Sequence, residues 1–241
     1  RTRANNGTGG SEAMRIDNSG QVGIGTSDPT GIHSLAKVLE ISGGDGGDLI
    51  IGNNVSTNVG AGAHIGAIAF KNIDNSTGSS PHYAGIRCES ADTSGNMDLR
   101  FYTGIANLEA DTPQAMIDQN GNLLVGKTTI ATGTAGIALR SNGEVRGTVD
   151  GAESARFSRL SSDGNIVGFE KDGASVGSIG VSGGNNLYIS SSQSNHAGLT
   201  FATDSILPTR QGATIDNVTD LGANSERFKD AYFSGTINDG D

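Results

Sequence analysis

The chain has 241 residues, 38 of them glycine, with 34% hydrophobic and 5% aromatic residues and no tryptophan. Its net charge of −10, with no Lys/Arg cluster beyond Arg1 and Arg3, disfavours nucleic acid as a partner. The single cysteine, Cys88, excludes an intrachain disulfide and a thiolate metal site, and no apolar run approaches the roughly 20 residues of a membrane span.

The glycine content is about twice the ordinary share, so much of the apolar inventory has little side chain to pack. A lone chain would bury a thin core against about 1–2 kcal/mol of conformational entropy per residue. The apolar residues nevertheless alternate in order, which predicts that several copies pool their apolar faces. The opening Arg1-Thr2-Arg3, without Met or a signal-like stretch, reads as a piece of something longer.

In chain order, a polar lead-in gives way to Met14-Arg15-Ile16-Asp17-Asn18-Ser19-Gly20-Gln21-Val22-Gly23-Ile24-Gly25, which reads as strand, tight turn, strand. Residues 1–30 are expected to form a β stalk repeat ending at Ser27-Asp28-Pro29. The stretches Leu35 to Ile41, Asp48 to Gly52 and Gly62 to Lys71 read as strands, followed by a loop from Asn72 to Ser80. Ala84, Ile86 and Cys88 alternate with Gly85, Arg87 and Glu89, and Met97, Leu99 and Phe101 with Asp98, Arg100 and Tyr102. The latter run is the cleanest period-2 signal, one face buried and one wet. Residues 31–115 are therefore predicted to form a β-sandwich knob.

The opening phrase returns as Met116-Ile117-Asp118-Gln119-Asn120-Gly121-Asn122-Leu123-Leu124-Val125-Gly126, with looser versions at Ala138 to Val145 and Leu160 to Gly168. Residues 116–200 read as a glycine-rich β stalk, with short strands at Ala155 to Leu160, Ile166 to Lys171, Ser175 to Val181 and Leu187 to Ser190. Residues 201–241 close the chain, and the best helix candidate, Ser225 to Asp230, is one turn long. The fold class is all-β with negligible helix.

Several catalytic patterns are accidental. Gly121 to Thr128 matches a phosphate loop, but its Leu-Leu-Val interior favours a strand and no helix follows. Gly43 to Ile50 fits one copy of a calcium-binding β-roll that needs stacked copies, and Gly173 to Gly177 fits a nucleophile elbow without its helix. His33, His64, His82 and His196 show no ligand spacing, and Asp92 with Asp98 or Glu89 is a candidate glycosidase pair whose separation the sequence does not give. No catalytic, cofactor-binding or metal residue is assigned.

Met14 to Pro29 and Met116 to Thr129 resemble the M-R-I-D-x-S-G-N-V-G-I-G-T-x-x-P segments of tailed-bacteriophage tail fibres. Asp220-Leu221-Gly222-Ala223-Asn224-Ser225-Glu226-Arg227-Phe228-Lys229-Asp230-Ala231-Tyr232-Phe233-Ser234-Gly235, after Pro208 to Ile215, is similar to the D-L-G-x-x-x-x-R-F-K-D-x-Y-x-S-G motif that lies before a self-cleaving intramolecular chaperone in that family; such a chaperone is expected beyond Asp241, outside this sequence. The resemblance implies an intertwined homotrimeric fibre with an inserted knob, a structural adhesin of the virion tail rather than an enzyme, extracellular after release. Its partners would be a host surface glycan or outer-membrane receptor, and other tail proteins through an N-terminal part outside this sequence; neither nucleic acid nor membrane insertion is implied. Leu221, Arg227, Phe228, Tyr232 and Phe233 are the expected trimer-closing residues, since they hold the densest aromatic cluster in the chain. Receptor contacts are expected on the loops Asn72 to Ser80 and Asn185 to His196. The alternatives are a tailspike polysaccharide depolymerase and a trimeric bacterial surface adhesin, the latter normally marked by heptads and a membrane anchor.

Overall fold

A computed structural model describes residues 2–3, 12–29, 39–41, 48–53, 59–73, 82–105 and 112–237. Over these residues the protein is all-β and has no helix. The strands are β1 (Thr2–Arg3), β2 (Glu12–Ile16), β3 (Val22–Ile24), β4 (Leu39–Ile41), β5 (His64–Asn72), β6 (His82–Ser90), β7 (Met97–Ile105), β8 (Ala115–Ile117) and β9 (Leu123–Val125). They continue as β10 (Gly136–Leu139), β11 (Val145–Thr148), β12 (Gly164–Lys171), β13 (Ala174–Ser182), β14 (Asn186–Ser191), β15 (Gly198–Ala202), β16 (Ser205–Arg210) and β17 (Ala213–Thr214). Strands β1 to β4 form one sheet, β5 to β11 a second and β12 to β17 a third, each with sequence neighbours paired. The chain divides into two compact units, Arg1–Ala152 and Glu153–Asp241. The expected division between 115 and 116 falls inside the seven-strand sheet, where Leu99 pairs with Ile117 and Arg100 with Met116.

Three hairpin turns are built alike. Asp17 Oδ1 accepts the backbone N–H groups of Ser19 (2.8 Å) and Gln21 (2.9 Å), and Asp118 Oδ1 accepts those of Asn120 and Asn122 (both 2.9 Å). Asp92, between β6 and β7, does the same for Ser94 (2.7 Å) and Asn96 (3.3 Å). In each turn the residue four places on returns its side-chain amide to the carboxylate. The third step needs a left-handed backbone, so it is glycine: Gly20 at φ 77°, Gly95 at 88° and Gly121 at 77°.

The turn between β10 and β11 replaces that carboxylate–amide lock with charge. Arg140 donates to Glu144 (2.6 Å), and Arg146 donates to the same carboxylate (2.9 Å). The hydrogen bond from Arg146, then that from Arg140, holds the Glu144 carboxyl down to about 2. A depressed carboxylate pKa stabilises the fold above the unfolded value of about 4.5 and loses that contribution as pH falls towards 2. Glu144→Gln is therefore expected to lower the melting temperature at pH 6 but to melt together with the parent near pH 2. A calorimetric difference that persists unchanged across that range would show that the pair carries no such linkage.

Strand alternation sorts the seven-strand sheet into two faces. One face carries a row of partners, Arg87, Arg100, Met116, Leu124, Ala138 and Arg146. The other carries Ile68, Ile86 and Phe101; Cys88, Leu99 and Ile117; Val125 and Ile137; and Leu123, Leu139 and Val145. The first face is the covered one: Arg87 and Glu89 are 4% exposed, and Leu124 and Ala138 are 0% exposed. The second is open, with Ile68 49%, Ile137 47% and Val145 73% exposed.

The six-strand sheet repeats this inversion. Its covered face holds Gly180, Tyr188 and Thr200 in one row and Ser178, Ser190, Gly198 and Thr209 in the next. Their polar atoms are satisfied locally: the Thr200 and Thr209 hydroxyls lie 2.6 Å apart, and Tyr188 donates to Asn165 Oδ1 at 2.6 Å. The opposite rows, Ile179-Ile189-Leu199-Pro208 and Val181-Leu187-Phe201-Ile206, include exposed Leu187, Ile189, Leu199, Phe201 and Ile206.

Several sequence expectations change. The run from Met97 to Tyr102 does alternate in a strand, but its polar members Asp98 and Tyr102 are buried while Met97 and Leu99 are exposed. Strands β5, β6 and β7 lie side by side, and although Leu49 and Ile51 border their apolar face, Ile68, Phe70 and Met97 stay exposed, so these strands do not enclose an apolar core of their own as a sandwich would. Asp48 to Gly52 and Ala155 to Leu160 are not strands, because no neighbouring strand pairs with them. Leu160 to Gly168 is not a hairpin: Asp163 accepts the N–H of Gly184 (3.1 Å) on a distant turn, and β12 begins at Gly164. Ser225 to Asp230 forms bends rather than a helical turn.

Candidate functional site

The residues expected to close an assembly lie in an irregular segment after β17. Its start is tied to the six-strand sheet, where Ile215 N–H donates to Pro208 O (3.0 Å) and Arg210 to Val218 O (2.5 Å). Further on, Gly222 takes a φ of 95°, Ala223 N–H donates to Glu226 O (2.9 Å), and the Phe228 ring comes against Gly222. This bend makes an open hollow of about 600 Å³ lined by Asp220, Leu221, Arg227, Phe228 and Ala231. Thus Leu221, Arg227 and Phe228 come together, while Tyr232 and Phe233 stand apart from that hollow. The apolar members remain in solvent: Leu221 is 80%, Phe228 66%, Tyr232 90% and Phe233 66% exposed. Of the charges beside them, Lys229 lies 3.6 Å from Asp230, and both are exposed enough for that pair to contribute little.

Of the first expected receptor loop, Asn72 ends β5 and Ile73 is exposed, while residues 74–80 lie outside the described residues. The second divides differently from a loop. Asn186–Ser191 is strand β14, and only residues 192–197 form the exposed turn to β15. That turn is ordered by side chains: Gln193 donates to Ser175 O (2.7 Å), Gln211 to Ser192 O (3.1 Å), and Asn195 adopts a φ of 63°.

The carboxylates offered as a hydrolytic pair are each engaged. Asp92 anchors its turn, and the amide of Asn96, then the N–H of Ser94, holds its carboxyl below the usual range. Glu89 is ion-paired with both Arg87 and Arg100. Asp98 pairs with Arg100 (3.2 Å) and accepts the Gln119 N–H (3.0 Å). The Arg87 guanidinium lies 5.0 Å from the centre of the Tyr102 ring, completing a compact charged layer on the covered face. Burial first, then the charges of Asp98 and Glu89, pushes the Cys88 thiol up, the opposite of what an activated nucleophile needs.

Lys127, the lysine of the apparent phosphate loop, is buried. Its ammonium donates to Ala131 O (2.7 Å) and Thr134 O (2.8 Å), and so pins the connection between β9 and β10. The apparent nucleophile elbow is the Asp172-Gly173 turn entering β13, with strand on both sides. The β-roll match lies largely outside the described residues, as does His33. His64 and His82 sit on β5 and β6 and His196 in the turn before β15; among the described residues no group of three His, Cys, Asp or Glu is placed to hold a metal ion.

No family model matches this chain, and no curated protein matches it. Its site must be read from its own surfaces. Among the described residues no helix is long and apolar enough to cross a membrane. Sequence reading expected apolar faces left for other copies but did not say which sheets carry them; the structure shows one largely exposed apolar face on the seven-strand sheet and one on the six-strand sheet. Their membership was legible in the alternation, whereas their exposure depends on what covers each side. The Asp92 turn was also legible, because Asp92-Thr93-Ser94-Gly95-Asn96 follows the spacing of Asp118-Gln119-Asn120-Gly121-Asn122.

Proposed function

We propose that this chain is the distal part of a tail-fibre-type homotrimeric adhesin that recognises a host cell surface during phage adsorption. One observation carries the reading. The C-terminal segment that resembles the fibre motif leaves Leu221, Phe228, Tyr232 and Phe233 in solvent, without a strand or helix of its own to pack them. Exposed aromatics at such density cost a single chain solubility and suit a plug formed by several chains. Repetition about an axis then converts weak receptor contacts into avidity. The receptor is a host surface glycan or outer-membrane component, met by residues 72–80 and by the turn of residues 192–197, since loops carry variable contacts.

Native mass tests the assembly: light scattering on the purified chain should give about three times 24.4 kDa. A single-chain mass would overturn the reading. Phe228→Ala should then raise the concentration at which the trimer falls apart by about tenfold or more, which for three chains is a hundredfold in the dissociation constant, ~2.7 kcal/mol. Sedimentation over a dilution series checks this, and an unchanged dissociation curve would remove Phe228 from the plug.

A further inference from the structure

Glycine follows asparagine directly at Asn6-Gly7, Asn120-Gly121 and Asn142-Gly143, the first pair lying outside the described residues. The other two pairs occupy the same step of their hairpin turns. Gly121 N–H donates to Asp118 O (2.9 Å) and Gly143 N–H to Arg140 O (2.8 Å), and both glycines are left-handed, at φ 77° and 88°. The asparagine side chains, however, meet different groups. Asn142 Oδ1 accepts the backbone N–H of Glu144 (3.1 Å), which folds the carboxamide back over the Gly143 peptide. In the other turn the matching N–H, that of Asn122, goes to Asp118 Oδ1 (2.9 Å) and not to Asn120.

We propose that Asn142-Gly143 is a self-modification site, where the folded turn converts asparagine to aspartate and isoaspartate much faster than at Asn120-Gly121. The Gly143 nitrogen attacks Asn142 Cγ, the bond from Cγ to the side-chain nitrogen breaks, and ammonia leaves with the proton given up by the Gly143 nitrogen. Solvent water then opens the cyclic imide: at Cγ to give aspartate, or at the backbone carbonyl to give isoaspartate. Freeing the glycine nitrogen from its carbonyl costs both turns alike, so other features decide between them. Glu144 N–H already donates to the oxygen on which negative charge develops, as an oxyanion donor does. The turn begins with a cation, Arg140, and Arg146 shares Glu144 with it, whereas the other turn begins with the carboxylate of Asp118. Negative charge on the attacking nitrogen and on the oxygen is thus favoured at the first site and opposed at the second. Asn142 and Gly143 are exposed, and a Cβ at Gly143 would meet nothing within 4 Å, so water reaches the imide. Isoaspartate lengthens the backbone of the turn that sets Leu139 opposite Val145, and this loosens β11, an edge strand paired with β10 alone.

Ageing the full chain tests the proposal. The protein is incubated in mildly alkaline buffer, native and in concentrated urea, and peptide mapping by tandem mass spectrometry follows the amide-to-acid mass gain at Asn142 and Asn120. In the native chain Asn142 should convert about tenfold or more faster than Asn120, and in urea the two rates should converge. Equal native rates, or a faster Asn120, overturn the proposal. A preference for Asn142 that persists unchanged in urea also overturns it, because local sequence and not the folded turn would then be the cause. Arg140→Asn removes the cation and offers the Glu144 N–H an acceptor placed like that of Asp118, so Asn142 should slow to the rate of Asn120; an unchanged rate would remove both groups from the chemistry. The native and urea rates of the parent chain decide even if that variant does not fold.

Discussion

Glu89→Ala is expected to destabilise the unit of residues 1–152 by about 3–5 kcal/mol, the range for breaking a buried ion pair by removing one partner. Glu89 is the shared anion of the charged layer, paired with Arg87 and with Arg100, and its side chain is only 5% exposed. Without it, two guanidinium groups face each other across β6 and β7, with Asp98 still paired to Arg100. Glu89→Gln keeps an acceptor but loses the charge, so its effect should fall between alanine and the parent. The midpoint of urea unfolding, followed by circular dichroism, checks the order. A loss below about 1 kcal/mol would mean that water screens the layer like an ordinary surface pair.

The second large effect is expected at Gly180. A Cβ there would stand 2.5 Å from Gly164 O, 2.5 Å from the Tyr188 hydroxyl oxygen and 2.6 Å from Tyr188 Cζ. The backbone oxygen cannot retreat without breaking the pairing of Gly164 with Val181 and of Asn165 with Gly180. The ring cannot retreat without losing its hydrogen bond to Asn165, and Tyr188 is the largest buried side chain of the second unit. Gly180→Ala should therefore cost about 3 kcal/mol, the upper range for overpacking, and should lower the melting transition of the second unit selectively. Tyr188→Phe in the same background removes the hydroxyl and should recover part of the loss. If alanine at 180 leaves that transition in place, the covered face is looser than these distances describe.

The hairpins were legible because their chemistry is local. A short acceptor at Asp17 or Asp118, a glycine three places on and alternating residues on each side specify the turn, and hence the register of the strands leaving it. For the same reason the expected strand within the apparent phosphate loop is found: Leu123–Val125 is a strand and its neighbours are turns. Asp48 to Gly52 and Ala155 to Leu160 misled because an apolar run, or one with spaced apolar residues, is only a candidate strand. It becomes one when another strand accepts its hydrogen bonds, which no window of sequence displays. The C-terminal aromatics could be named from the chain, but the hollow that gathers Leu221, Arg227 and Phe228 depends on the bend at Gly222.

The sequence by itself determined the all-β class, the hairpin turns and the membership of each sheet face, because side chains alternate with period two wherever a strand forms. It did not determine which face is covered. Met97, Leu99 and Phe101 share one side and Asp98, Arg100 and Tyr102 the other, as the alternation requires, yet the polar side is the one the chain buries. That choice belongs to tertiary structure. The buried charges are tolerated because Arg87, Glu89, Asp98 and Arg100 meet one another across strands brought together only by the fold.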